Sequence, residues 1–114
     1  MLKKVECIIQ PFKLEEVREA LREIAVEGMT VSQVEGCGKQ KGYDEENVEN
    51  ARPITFKPKV RLEIVTDEEN VEQLIKTIQK FAKTGHIGDG KIFVYPVEDA
   101  IRIRTSERGG RAIK

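Results

Sequence analysis

The chain has no tryptophan, a single histidine and only two cysteines among its 114 residues. With His86 alone, a zinc centre or a Ser-His or Cys-His catalytic pair has almost no material to be built from. Cys7 lies in an alternating apolar run and Cys37 beside glycines, without metal-ligand spacing or a secretory context to suggest a bridge, so Cys7 reads as core. No segment approaches the roughly 18 apolar residues of a membrane span. The apolar run in "MLKKVECIIQPFK" is too short for a signal peptide, so the expected location is the cytoplasm, with no direct membrane insertion. An excess of either charge is missing too: 20 Lys and Arg balance 20 Asp and Glu, which argues against a nucleic-acid partner held by a basic surface. The length suits one domain spanning 1–114 around one core.

What is present is periodic. In "KKVECIIQ" Val5, Cys7 and Ile9 alternate with Glu6 and Ile8, which predicts a strand over roughly residues 2–9 with one buried face. After Pro11, "KLEEVREALREIAVEG" spaces Leu14, Val17, Leu21 and Ile24 as one helix face that ends at Gly28. "MTVSQVEG" reads as a second strand. "PKVRLEIVT" alternates again through Val60, Leu62 and Ile64, and a second helix follows with Val71, Leu74, Ile75, Ile78 and Phe81 on one face and Asp67 as its N-cap. The two halves match about 55 positions apart, Val5 with Val60 and Val17 with Val71. Two strand-helix-strand units predict an α+β, ferredoxin-like βαββαβ fold with both helices on one sheet face. Ile8 and Val65 on the other face favour an oligomer.

Three stretches carry candidate chemistry. "TGHIGDGKIFV", Thr84 to Val94, concentrates glycines around Asp89 and ends in Lys91. Bare backbone can approach an anion and present consecutive N–H groups to it, although a tight turn with Gly85 as helix cap explains the same residues. A loop of about 20 residues between strands two and three, about 38–58, has "GCGKQKG" at its base. Finally, if Ile101–Arg104 is extended, Arg102 and Arg104 share one face and can clamp a polyphosphate. Together these favour a di- or triphosphate site, yet neither glycine run is a Walker P-loop.

Taken together, "IIQPFKLEEVREAL", "GMTV", "GCGKQKG", "TGHIGDGKIFV" and "VEDAIRIRTSERG" resemble PII-type nitrogen-regulatory signal-transduction proteins over nearly the whole chain. The resemblance implies a homotrimer that binds ATP or ADP in clefts between subunits and controls a protein target through the long loop. It assigns Thr84, Gly88, Asp89, Gly90 and Lys91 to the nucleotide, with Arg102 and Arg104, in the segment about 102–114, supplied by the neighbouring subunit. Thr30 and the backbone near Glu63 and Val65 are expected around the adenine, and Gly38, Lys39 and Gln40 near the phosphates. It further implies 2-oxoglutarate sensing through Gln40, Lys41, Gly42 and Lys59, with a magnesium ion bridging ATP, the 2-oxo acid and Gln40. A hard cation with oxygen ligands suits that set.

The loop departs from the family pattern. Arg52 stands where a modified tyrosine is frequent, Asn50 where a phosphorylated serine occurs, and Val48 where an arginine plugs an ammonium channel. Tyr43 lies elsewhere in the loop, Lys39 replaces an arginine, and Gln10 replaces a cation that assists 2-oxoglutarate. These departures leave open an energy or other-metabolite sensor outside nitrogen assimilation. A slow ATPase would need a metal-holding carboxylate pair or a placed base, and Asp89 is the only acid inside the motif. An RNA-recognition module would need aromatics on central strands, which Phe12, Phe56, Phe81 and Phe93 do not supply. The expectation is a regulatory protein, not an enzyme.

Overall fold

In the computed structural model of the chain, residues 1–38 and 55–114 are described. Strand β1 (Leu2–Ile9) buries Val5, Cys7 and Ile9, and β3 (Lys57–Asp67) buries Val60, Leu62 and Ile64. Their antiparallel register sets Val5 opposite Ile64, Cys7 opposite Leu62 and Ile9 opposite Val60, so the two apolar series form one face. Strand β2 (Thr30–Gly36) pairs with the other side of β3, and β4 (Lys91–Pro96) with the other side of β1. The order β2-β3-β1-β4, all antiparallel, is the predicted ferredoxin-like arrangement.

Helices α1 (Leu14–Glu23) and α2 (Val71–Ala82) cover the apolar face, with Val17, Leu21, Leu74 and Ile78 in the same core as the strand residues. Two predicted helix boundaries move. Helix α1 stops at Glu23, short of Gly28, because Ala25 adopts φ 68. The Ala25 N–H then reaches the Arg22 carbonyl at 3.0 Å and the Val26 N–H the Leu21 carbonyl at 3.0 Å, a Schellman closure that folds Val26 onto the core. Asp67 is not a side-chain cap: β3 runs through it, a 3-10 turn (Glu68–Asn70) intervenes, and the Glu68 N–H is taken by the Met1 carbonyl at 2.9 Å. The loop is correspondingly shorter than 38–58 at its far end, since Lys57 and Pro58 already pair with Gly36 and Glu35.

The open face carries a charge lattice. Lys4 Nζ lies 3.2 Å from Glu63 and 4.7 Å above the Tyr95 ring, Arg61 Nε lies 3.4 Å from Glu63, and the Tyr95 hydroxyl donates to Glu6 at 3.3 Å. Half-buried Ile8 and Val65 sit among these groups, as their parity predicts. Phe93 and Tyr95 share this face on edge strand β4, away from the central strands where base stacking would need them.

The expected extended run Ile101–Arg104 is not formed. Ile101 bridges Arg108, residues 103–105 turn, and Ser106 takes φ 66. The hairpin closes through Arg102 N–H to Glu107 carbonyl at 2.9 Å and Gly109 N–H to Ala100 carbonyl at 2.9 Å. Arg102 and Arg104 therefore do not stand side by side on a strand face.

Candidate functional site: a glycine-rich loop beside the loop base

The connection from α2 to β4 is built around the Asp89 carboxylate. It accepts from the Thr84 N–H at 2.9 Å, the Gly85 N–H at 2.9 Å and the Thr84 hydroxyl, while the His86 N–H donates back to Thr84 Oγ1 at 3.1 Å. The Thr84 hydroxyl, with the Gly85 and Thr84 amides, holds the Asp89 carboxyl below the ordinary aspartate range. Asp89 thus organises the loop from inside, and a carboxylate so committed is a poor proton acceptor.

Three glycines make the loop possible. Gly85, Gly88 and Gly90 have φ of 87°, 106° and 92°. At Gly90 a Cβ would fall 1.6 Å from the Ile8 carbonyl oxygen, so the loop lies directly on β1. At Gly88 a Cβ would meet Gln10 Nε2 at 2.8 Å and Lys59 Nζ at 3.3 Å. Lys59 donates to the Gly88 carbonyl at 2.8 Å. The same lysine passes under the base of the long loop: it pairs with Val34, and a Cβ on Gly36 would lie 3.5 Å from its Cγ.

One chain therefore gathers Gly36, Lys59, Gly88 and Gln10 around a bare backbone cradle, with Gly90 and Lys91 following beside Ile8. Thr30 pairs with Glu63 at the opposite end of β2 from Gly36, about 20 Å away at the strand rise. The Glu63 side chain is engaged by Lys4 and Arg61, and Val65 pairs with Lys4. Gly38 is exposed at the loop base. Lys39, Gln40, Lys41 and Gly42, and with them Tyr43, Val48, Asn50 and Arg52, lie outside the described residues. Arg102 is bonded within its own hairpin, and no hydrogen bond or ion pair among the described residues joins Arg102 or Arg104 to the 84–91 loop. Sequence reasoning named Gln10 and Asp89 but missed what they lie against, as it missed the reach of Lys59 to Gly88 and of Arg102 to Glu107. The lone Asp between glycines, five residues after a Thr at a helix end, was the available signal for Asp89.

No group of three or more His, Cys, Asp or Glu among the described residues could hold a metal ion, and no helix among them is long and apolar enough to cross a membrane. The loop sets positive-φ glycines, whose bare backbone a ligand can approach closely, beside the Lys59 ammonium and the exposed Lys91.

Comparison with known proteins converges on one family. The model of "Nitrogen regulatory protein P-II" matches residues 2–107. The Nitrogen regulatory protein P-II of Rhodospirillum rubrum is 54% identical over 112 residues, covering 98% of this chain and 100% of the relative, and that of Azospirillum brasilense is 52% identical over the same span. Among solved structures, Arabidopsis thaliana PII bound to citrate superposes with a TM-score of 0.79 at 44% identity, covering 99% of this chain and 90% of that one. A B. subtilis GlnK-ATP complex superposes at 0.82 with 36% identity, covering 97% and 94%.

Proposed function

The chain belongs to the nitrogen regulatory protein P-II family, and from that premise we propose that its Gly88-Asp89-Gly90-Lys91 loop binds the phosphates of ATP or ADP. The protein is a signal-transduction protein of nitrogen regulation. The observation that carries the nucleotide reading is the cradle itself: a loop held in shape by Asp89 and pressed against β1 at Gly90, with bare backbone at Gly88 and the exposed Lys91 beside it. Preorganisation of this kind means that binding does not have to order the loop. The relative solved with ATP supports the same ligand class.

On this reading a homotrimer completes the site, because Thr30, Arg102 and Arg104 are not gathered with the loop inside one chain. The half-apolar open sheet face is the surface that a second and third copy cover. A 2-oxo acid enters beside Lys59, whose ammonium already rests on the Gly88 carbonyl and exchanges that partner for a carboxylate. When bound, a magnesium ion would supply charge neutralisation to these anions. Its one protein ligand in this scheme, Gln40, lies outside the described residues.

The protein acts without catalysis, as a switch whose loop presents different shapes to a protein target when ATP with 2-oxoglutarate or ADP is bound. With Asp89 turned inward on Thr84, the motif has no placed base for hydrolysis.

Calorimetric titration with ADP, then with Mg-ATP with and without 2-oxoglutarate, tests the reading. Mutual enhancement of ATP and 2-oxoglutarate is the expected result, and a native assembly that binds neither nucleotide refutes it. Nucleotide binding without a 2-oxoglutarate effect would shift the function to an energy or other-metabolite sensor, with neutral Gln10 beside Gly88 as the cause.

A further inference from the structure

The charges on the open face of the sheet close on themselves. Register sets Glu6 on β1 directly opposite Glu63 on β3, and two like charges so placed on neighbouring strands repel. Each of their four carboxylate oxygens nevertheless faces a donor. Lys4 Nζ lies 3.2 Å from Glu63 Oε2 and 4.0 Å from Glu6 Oε1, Arg61 Nε lies 3.4 Å from Glu63 Oε1, and the Tyr95 hydroxyl donates to Glu6 Oε2 at 3.3 Å. Arg61 Nε also donates to Ser32 Oγ at 3.2 Å, and the Lys4 ammonium stands 4.7 Å above the Tyr95 ring. The cluster thus crosses all four strands, with two cations against two anions and no net charge. Both glutamates are already largely withdrawn from water, their side chains 16% and 26% exposed. Around them Ile8 and Val65 are half-buried and Phe93 is exposed.

We propose that this face meets a second copy of the chain through its apolar groups, with its charges paired inside each copy, and that Lys4 is the residue that makes such contact possible. A charge that has its partner within its own chain keeps that partner before and after assembly, whereas a pair formed across copies is gained only on contact. A strongly acidic or basic partner finds no net charge in the cluster to meet. A second copy brings the same neutral cluster, together with Ile8, Val65 and Phe93 to be buried against their counterparts. Among the described residues Lys4 alone reaches both glutamates within 4.0 Å. Without it Glu6 keeps the Tyr95 hydroxyl, and two adjacent carboxylates enter the contact against one guanidinium. This pairing rests on the homotrimer reading for its occupant, but the closed cluster inside one chain stands without it.

The test follows the full chain by sedimentation equilibrium from about 0.1 M to about 1 M sodium chloride, over which the screening length falls from about 10 Å to about 3 Å. The association constant of the wild type is expected to change by less than roughly threefold, because no charge pair forms on contact. Phe93→Ser should weaken association roughly ten- to hundredfold at every salt concentration, the value of one buried aromatic side chain. Lys4→Met should weaken it by about tenfold or more, and adding Glu63→Gln, which removes one of the two facing carboxylates, should restore most of that loss. A wild-type assembly that weakens by about tenfold or more as salt rises would overturn the proposal, since its charges would then pair across copies. So would a Lys4→Met or Phe93→Ser chain that assembles as the wild type does. The salt series needs no variant, so it decides the matter even if Lys4→Met does not fold. A wild type that stays monomeric at every concentration would sink the homotrimer reading and the pairing with it, whereas a stable assembly that salt dissociates would sink the pairing alone.

Discussion

Replacing Gly90 by alanine should damage the protein far more than the same change at Gly85, and the difference measures how closely the loop approaches the sheet. Both glycines have positive φ, 92° and 87°, where an L-residue costs roughly 1–2 kcal/mol. At Gly85 nothing lies within 4 Å of an added Cβ, so that backbone cost is the whole effect. At Gly90 the Cβ falls 1.6 Å from the Ile8 oxygen and 2.7 Å from the Ile8 carbonyl carbon, whereas even a weak C–H···O contact needs about 3.3 Å. Relief requires the backbones to part at the Ile8–Lys91 pair, where β4 joins β1. Overpacking of this kind adds about 1–3 kcal/mol, for a total near 2–5 kcal/mol. Urea unfolding at one fixed protomer concentration reads both variants, and each kcal/mol also moves Tm by roughly 4 °C in a domain of this size. Equal losses at Gly85 and Gly90 would refute the argument, because they would show that the contact with Ile8 does not hold the loop.

Other expectations follow from the same geometry. Because the Thr84 hydroxyl and the Gly85 and Thr84 amides lower the folded pKa of Asp89, its contribution to stability is complete above the unfolded aspartate value near 3.9 and is lost as pH falls through the depressed folded value. Asp89→Asn should therefore flatten the acid limb of a stability-against-pH curve below about pH 4, and an unchanged limb would show that these bonds do not persist in solution. Burial pushes the Cys7 thiol up to about 11, whereas Cys37 is exposed. A thiol reagent at neutral pH should modify Cys37 alone in the native protein and both cysteines in denaturant; rapid native labelling of Cys7 would contradict its place in the core. Lys59→Met removes the donor to the Gly88 carbonyl and should accelerate amide exchange across 84–90 while leaving the β1–β3 amides protected. Leu62→Ala, at a fully buried position on the central strand β3, should cost about 2–5 kcal/mol, read as a lowered urea midpoint.

The pattern Val5-Cys7-Ile9 and Val60-Leu62-Ile64, with Val17, Leu21, Leu74 and Ile78 at helical spacing, was enough to specify the strands, the helices and the face on which they meet. That information is local: a strand alternates its side chains and a helix repeats every 3.6 residues whatever else the chain does. The glycines and lysine of the 84–91 loop were legible for a related reason, since residues without a Cβ restrict what the backbone there can be. The sequence could not say which partner each polar group would choose. Lys59 reaches a carbonyl 29 residues away, and Arg102 turns to Glu107 where extended geometry would have placed it beside Arg104. Nor did it predict that Ala25 would end α1 five residues early in chain terms, at a position where glycine is the usual choice. Burial selects apolar residues by period alone, but a cation or carboxylate has many acceptable partners of similar energy, and only the closed fold decides which one lies within 3 Å.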